Sequence, residues 1–434
     1  MRYDSERDWI DAVARVALDH LLAPLDQSGE IAKRLIQLHM LMLDAPRPVH
    51  NQFVLLTERA LDECMTPRIN DYLAGKWAWE IDAKAELPII VLTIAAEIRA
   101  LDRHLVDYRR DKKGSPFESR IEVGDAWVLL SRGPMWREKL VKQGEPYRRR
   151  GMLHHRAVPM RVGGYIVTLA EVADPRVGGR GDDNKLAAAM VHGLELHPSI
   201  AEGKFSITDI TAPAALQSME AQVDLAAKAN CWVLAWPELS VSAEVRRELA
   251  KSLLERSIDK PMPPAVIVAG SSHEVCEKGR VNRAHILTKS GDKIAHHEKA
   301  VPYFEASEWG IEDIDSGNEI AVLVSRGPSF AVAICKDFCD RSQANPYVEL
   351  DVDLIVVPSM GRETTAASHV HAAQDLKTKA GATVFVVQQS DPYWDRSLNY
   401  VISPATDLDM GAAACVQGST LSVHRWTRPE EHPT

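Results

Sequence analysis

From Tyr165 onward, short apolar runs alternate with stretches whose apolar residues recur every three or four positions. That mixture restricts the chain to layered α/β architectures. Each strand-like run needs a sheet neighbour, and each amphipathic helix needs a face to cover. The pattern predicts strands over 166–172, 232–235, 265–270, 320–324, 330–334, 354–357, 383–388 and 400–402. A hairpin is expected to join 282–288 to 293–297 across Ser290-Gly291-Asp292, a favourable turn sequence. Helices are expected over 213–230, with Thr211 as a cap, over 244–256, and over 368–380, where Gly381 supplies a C-cap.

The first 140 or so residues have helical spacing instead. Ser5 is placed to cap a helix reaching Ala23. Ile31, Leu35, Leu38 and Met42 mark a second, and a third opens at Pro88 and runs to Arg109. Nothing in this region groups into a catalytic set, which suits a packing or interaction domain. Residues 142–164 hold Arg148-Arg149-Arg150, His154-His155, Arg156 and Arg161 before a glycine pair. They read as a solvated basic connector. The expected organisation is therefore a helical domain over 1–141, a linker over 142–164, an α/β domain over 165–427 and a tail over 428–434.

Bulk properties narrow the function. A chain of 434 residues with 45% apolar content supports two or three domains with sizeable cores. The net charge of −10 argues against a general nucleic-acid binder. No apolar run approaches the ~20 residues of a membrane span, and the polar N-terminus has no signal core. Six scattered cysteines suit reduced thiols, so a cytoplasmic protein is expected. The loop Gly178–Asn184 lacks the Gly-Lys-Ser/Thr ending of a phosphate loop. Cys335 and Cys339 have no second pair to complete a zinc site. Neither a metal nor a cofactor is expected.

Three strand ends carry chemistry. Phe330–Ile334 delivers Cys335 to its C-terminal end, and charge begins at once with Lys336-Asp337. Earlier, Cys231–Pro237 leads into Glu238, and His296-His297-Glu298 leads into Lys299 just after the predicted hairpin. Strand ends of α/β sheets are where active sites collect. A thiol, with a reference pKa of ~8.5, is mostly protonated at neutral pH, so a nucleophilic cysteine needs a base. A carboxylate whose pKa is raised by burial, as Glu238 would be, can act as that base. Attack on an amide or nitrile carbon builds negative charge that a fixed cation stabilises, by something on the order of 3 kcal/mol in a dry site. Lys299 suits that role, helped by the backbone N–H of Lys336. An amide substrate would leave a thioester for water or a second nucleophile to resolve.

The segment 165–427 resembles the nitrilase (carbon–nitrogen hydrolase) superfamily. Trp236-Pro237-Glu238-Leu239 resembles the motif around the family's glutamate base. His297-Glu298-Lys299 resembles its lysine motif. Ile334-Cys335-Lys336-Asp337-Phe338 resembles its cysteine motif, with an acid two places after the thiol. The resemblance implies a four-layer αββα sandwich, a Glu-Lys-Cys triad, no metal, and homodimers or higher oligomers. It also implies a second glutamate soon after the lysine, for which Glu305 is the first choice and Glu308 the rival. Lys336, Met360 and Tyr303 are candidate substrate-binding residues; His369, His371 and Tyr393-Trp394 are secondary pocket candidates.

The expected activity is hydrolysis of a linear amide or nitrile through a Cys335 thioester. Two other readings stay open. One is a catalytically weak or inactive sandwich that binds a protein partner through the helical domain. The other is an acyltransferase, since the chemistry diverges only when the thioester is resolved.

Overall fold

A computed structural model of the chain describes residues 3–21, 28–77, 79, 81–108, 120–132, 144–174, 185–305, 309–325, 327–340, 345–389, 400–402, 413–415 and 421–426. The chain divides into two compact units, Met1–Met160 with Thr378–Gly381, and Arg161–Lys377 with Ala382–Thr434.

The first unit is built mainly from the helices Glu6–Leu21, Ser28–Leu43, Arg47–Leu55, Glu58–Leu73 and Leu87–Tyr108. Ser5 caps the first helix, its Oγ accepting from Asp8 N at 3.1 Å. Thr57 does the same for Glu58–Leu73 through Ala60 N. Trp9, Leu35, Leu38, Ile94 and Leu101 are fully buried in the shared core. A small antiparallel sheet accompanies the helices, in the order Ile121–Val123, Trp127–Ser131, His155–Pro159.

That last strand corrects the reading of 142–164 as a solvated linker. Over 144–160 the chain belongs to the first unit. Arg150 is buried and donates to Phe53 O at 3.0 Å and Leu56 O at 2.8 Å. Asp102, also buried, accepts from the backbone N–H groups of Leu153, His154 and His155 and from His155 Nδ1. The basic run satisfies carbonyls and carboxylates inside the unit, the condition under which buried charge persists. Composition alone cannot distinguish that from a solvated run.

The second unit is a layered α/β structure. Among the described residues its largest sheet has eight strands. Edge to edge they are Ala413–Cys415, Tyr400–Ile402, Thr383–Gln389, Leu354–Met360, Ser329–Val332, Glu319–Val324, Tyr165–Glu171 and Arg161–Val162. A six-stranded sheet runs Lys293–Glu298, Gly279–Thr288, Val266–Cys276, Cys231–Ala235, Lys185–Ala189, Leu421–Arg425. Leu234 and Ile267 face the helices Ala215–Lys228 and Ala243–Leu254. A bulge between Cys231 and Val233 turns Trp232 the other way, onto Phe330 of the eight-stranded sheet at a ring separation of 5.6 Å. The helix Glu363–Ala380 crosses between the parallel strands Leu354–Met360 and Thr383–Gln389. The layers are thus helix, sheet, sheet, helix; the mainly helical unit comes earlier in the sequence.

A four-stranded sheet, Phe304–Glu305, Gly310–Glu312, Lys204–Thr211, Glu195–Ala201, lies beside these layers. Sequence periodicity did not reveal the last two strands, nor Lys185–Ala189. Pro198 interrupts the pattern in Glu195–Ala201 and sits at a register shift, the position where a strand tolerates proline. Thr211 ends a strand and does not cap the following helix; Ala214 precedes that helix with φ of 48° and no side-chain cap. No helix among the described residues is long and apolar enough to cross a membrane.

Candidate active site

Glu238, Lys299 and Cys335 stand just beyond the C-terminal ends of three strands. Glu238 follows Cys231–Ala235 through Trp236-Pro237 and is 3% exposed. Trp236 is pinned by its Nε1–H to Gln222 Oε1 at 2.7 Å. Leu239 then takes a φ of 50°, and its N–H donates to Ser271 Oγ at 3.1 Å. Lys299 ends the strand Lys293–Glu298 and keeps its backbone in the ladder through Asn282 O at 2.8 Å. Cys335 continues from Ser329–Val332. Its N–H donates to Pro358 O, and its φ of 45° puts the thiol on a sharp turn. Such a conformation is costly for a side-chain-bearing residue and gathers at functional positions.

The ammonium of Lys299 joins two carboxylates. Nζ donates to Glu238 Oε1 and to Glu312 Oε2, each at 2.7 Å. Asn282 Nδ2 donates to the same pair, at 3.0 and 2.9 Å. Glu312 also accepts from Tyr303 N at 2.9 Å and from His273 Nε2 at 3.0 Å. His273 Nδ1 accepts from Ile207 N at 2.8 Å, which assigns the proton to Nε2. The other oxygen of Glu238 accepts from Met360 N at 3.2 Å. Cys335 Sγ lies 3.7 Å from Met360 O.

These contacts separate the two carboxylates. Burial raises the pKa of Glu238, and the negative charge of Glu312 adds to the rise, outweighing Lys299. Burial would raise Glu312 too, but Lys299 and His273 outweigh it and hold it well below the usual carboxylate range. Burial would lower Lys299, but its two carboxylates push it well above the ordinary lysine value. The Cys335 thiol is pushed up, first by burial and then by the charge of Glu238. One carboxylate stays ionised to hold the cation, and the other has raised proton affinity beside a protonated thiol. Divergence of this kind separates an acid–base group from an electrostatic one.

A cavity of about 40 Å³ opens over this cluster. Glu238, Lys299 and Glu312 form its charged part, and Leu196, Phe205, Leu239, Tyr303, Trp309, Met360 and Gly361 form the rest. Cys335 is not among its lining residues; the sulfur lies 3.7 Å from the carbonyl oxygen of Met360, which is. Gln388 fixes that wall, donating from Nε2 to Gly361 O and Arg362 O. His369, driven down to about pKa 4 by burial, donates Nε2–H to Cys335 O at 3.1 Å.

The structure brings together Glu238, Lys299, Cys335, Met360 and Tyr303. Lys336 does not line the cavity; its ammonium goes to Pro302 O at 3.3 Å. The Glu305 side chain, Glu308, Tyr393-Trp394 and the loop 178–184 lie outside the described residues. The carboxylate paired with Lys299 alongside Glu238 is Glu312, which sequence reasoning did not single out. Its short strand pairs in parallel with Lys204–Thr211, an unforeseen strand, and that pairing turns Glu312 inward. Asn282 and His273 were missed for the same kind of reason. Each faces the cluster because of hairpin register, which no local motif records.

No protein-family profile matches the chain, and no curated protein matches it by sequence. Comparison with solved structures finds similar folds at low identity. A double mutant of the amidase from Nesterenkonia sp. AN1 in complex with acrylamide is 16% identical, with a TM-score of 0.41, covering 57% of this chain and 92% of that one. A single mutant of the same amidase, described as from the nitrilase superfamily, is 17% identical with a TM-score of 0.41, covering 58% and 93%. Glutamine-dependent NAD+ synthetase from Acinetobacter baumannii, in complex with adenosine diphosphate, is 16% identical with a TM-score of 0.38, covering 56% and 45%.

Proposed function

We propose that the second unit is a thiol hydrolase that cleaves a non-peptide carbon–nitrogen bond, in a small linear amide or nitrile, through an acyl-enzyme on Cys335. The observation that carries this reading is the bridge of Lys299 Nζ between Glu238 Oε1 and Glu312 Oε2, with Met360 linking base and nucleophile: its N–H is on Glu238 Oε2 and its carbonyl oxygen lies 3.7 Å from Cys335 Sγ.

For an amide, Sγ bonds to the carbonyl carbon while its proton passes to Glu238. A resting thiolate is not required, because Glu238, whose proton affinity is raised, takes the proton as the C–S bond forms. The carbonyl oxygen becomes an oxyanion. Lys299 has two of its three N–H groups on carboxylates, and the third has no acceptor among the described residues. That N–H is the donor assigned to the oxyanion. On collapse the C–N bond breaks, Glu238 returns the proton to nitrogen, and ammonia or an amine leaves. Water then adds to the thioester carbon, giving a proton to Glu238. The C–S bond breaks, the proton returns to sulfur, and the carboxylic acid departs.

The test combines two measurements on purified protein: ammonia or amine release over a panel of amides and nitriles, and intact-mass detection of an acyl adduct that disappears in Cys335→Ala. A folded wild-type protein giving neither result sinks the proposal. A second reading, a catalytically silent scaffold, draws on one observation: Cys335 is not among the residues that line the cavity. It requires Cys335→Ala to leave the biological phenotype unchanged, and a phenotype lost in the folded variant excludes it.

A further inference from the structure

We infer that the cavity accepts a small, electrically neutral acyl group, and that Phe205, Trp309 and Leu196 set this limit. The inference rests on the thiol-hydrolase reading and names its substrate class.

The charges bordering the cavity are engaged with one another. Lys299 is held by Glu238 and Glu312, and Glu312 accepts three further donors, from Asn282, Tyr303 and His273. Among the described lining residues there is no other lysine, arginine or histidine. A substrate carboxylate would leave water to stand near two carboxylates with no cation of its own among the described residues. An ammonium would meet Lys299 and carboxylate oxygens already occupied. Burying a charge without a partner is among the most unfavourable substitutions a site can face.

The walls point the same way. The rings of Phe205 and Trp309 pack 5.3 Å apart at 54°, with Leu196 and Leu239 beside them. A volume of about 40 Å³ leaves room for roughly three water-sized groups. Size and charge exclusion have one structural origin. Glu312 and Phe205 are direct partners across the short parallel pairing. The register that turns the carboxylate onto Lys299 therefore also places the ring that bounds the acyl group.

The experiment uses the full chain and three amides, propionamide, glycinamide and malonamate, which end in a methyl, an ammonium or a carboxylate, with 3-methylbutanamide as the neutral amide of malonamate's size, which malonamate should also trail. Expected kcat/KM for propionamide exceeds that for malonamate by about 100-fold or more, and that for glycinamide by about 10-fold, given the cost of an unpaired buried charge. Phe205→Ala, with Phe205→Leu as a milder change, should raise the kcat/KM of hexanamide relative to propionamide by about 10-fold. Malonamate turned over within about threefold of propionamide overturns the inference. Calorimetry on Cys335→Ala with the same amides makes the result independent of turnover. Propionamide binding about tenfold tighter than malonamate supports the inference, and equal or absent binding refutes it. Selective binding without wild-type turnover removes the hydrolase reading and leaves the neutral site standing. Turnover without selectivity does the reverse.

Discussion

Asp337 clamps the chain just after Lys299: its Oδ1 accepts from Ala300 N at 2.9 Å and from Val301 N at 2.8 Å. Its Oδ2 bonds His297 Nε2 at 2.9 Å and receives Ile334 N at 3.4 Å. One carboxylate, two residues past the sulfur, thereby joins the cysteine turn to the lysine turn across two sheets. On the proposed mechanism it touches no reacting atom, and the role expected of it is positioning.

Asp337→Ala leaves those donors without their acceptor, at about 1–3 kcal/mol for each group that water cannot reach. The expected outcome is a lower melting temperature together with a fall in kcat of more than about tenfold, since misplacing catalytic groups by an ångström is that costly. Asp337→Asn, which keeps one acceptor oxygen, should recover part of both. Calorimetry and steady-state kinetics on the two variants decide the point; unchanged kcat in Asp337→Ala would show that the clamp does not position the site.

The paired carboxylates predict a pH profile. On the proposed mechanism Glu238 must be ionised to take the thiol proton, and its pKa is raised. Activity should therefore rise with pH through a limb above the ordinary glutamate value of ~4.3. Glu312 contributes to that rise. Glu312→Gln should shift the surviving acid limb to lower pH while reducing kcat. A limb in Glu312→Gln that stays put or moves upward contradicts the assignment; kcat/KM against pH for both proteins supplies the measurement.

Gly270 predicts a defect transmitted through backbone. Its φ is +53°, and a Cβ there would lie 2.7 Å from both Pro237 O and Ser240 Oγ, on the turn that carries Glu238. Gly270→Ala should cost about 1–3 kcal/mol for the strained conformation and displace that turn, lowering activity beyond the loss of folded protein. Denaturant unfolding and activity per folded molecule separate the two effects. Full activity in a stable variant rejects the close-approach argument.

In the first unit, His39 is buried, with Nδ1 2.9 Å from Tyr147 Oη. Burial, then Arg148 and Arg132, drive its pKa down to about 3. An unfolded histidine titrates near ~6.5, so between those values the unfolded chain binds a proton that the native one refuses. Stability contributed by this site is present above that range and declines as pH falls through it. His39→Phe should flatten the decline without abolishing folding; an identical pH dependence of melting in wild type and variant rules the effect out.

The local steps of this architecture were written in the residues. Phe330–Ile334 read as a buried strand because apolar continuity and an abrupt charge at Lys336 are one-dimensional signals, and the strand Ser329–Val332 ends just before Cys335. The helix opening at Pro88 and the hairpin across Gly291 were legible for the same reason, and the structure places them at Leu87–Tyr108 and Gly279–Glu298. The segment 142–164 misled because arginine looks the same in a sequence whether it meets water or a buried carbonyl, as Arg150 does.

By itself, the sequence determined the strand ends that carry Glu238, Lys299 and Cys335, because hydrophobic periodicity and turn chemistry act between near neighbours. Only the tertiary structure decided that Glu312, Asn282 and His273 converge on Lys299 and that Phe205 and Trp309 bound the cavity. Those positions depend on which strands pair and in what register. A one-residue slip sends every side chain of a strand to its opposite face, so partners distant in the chain set the direction in which each residue points.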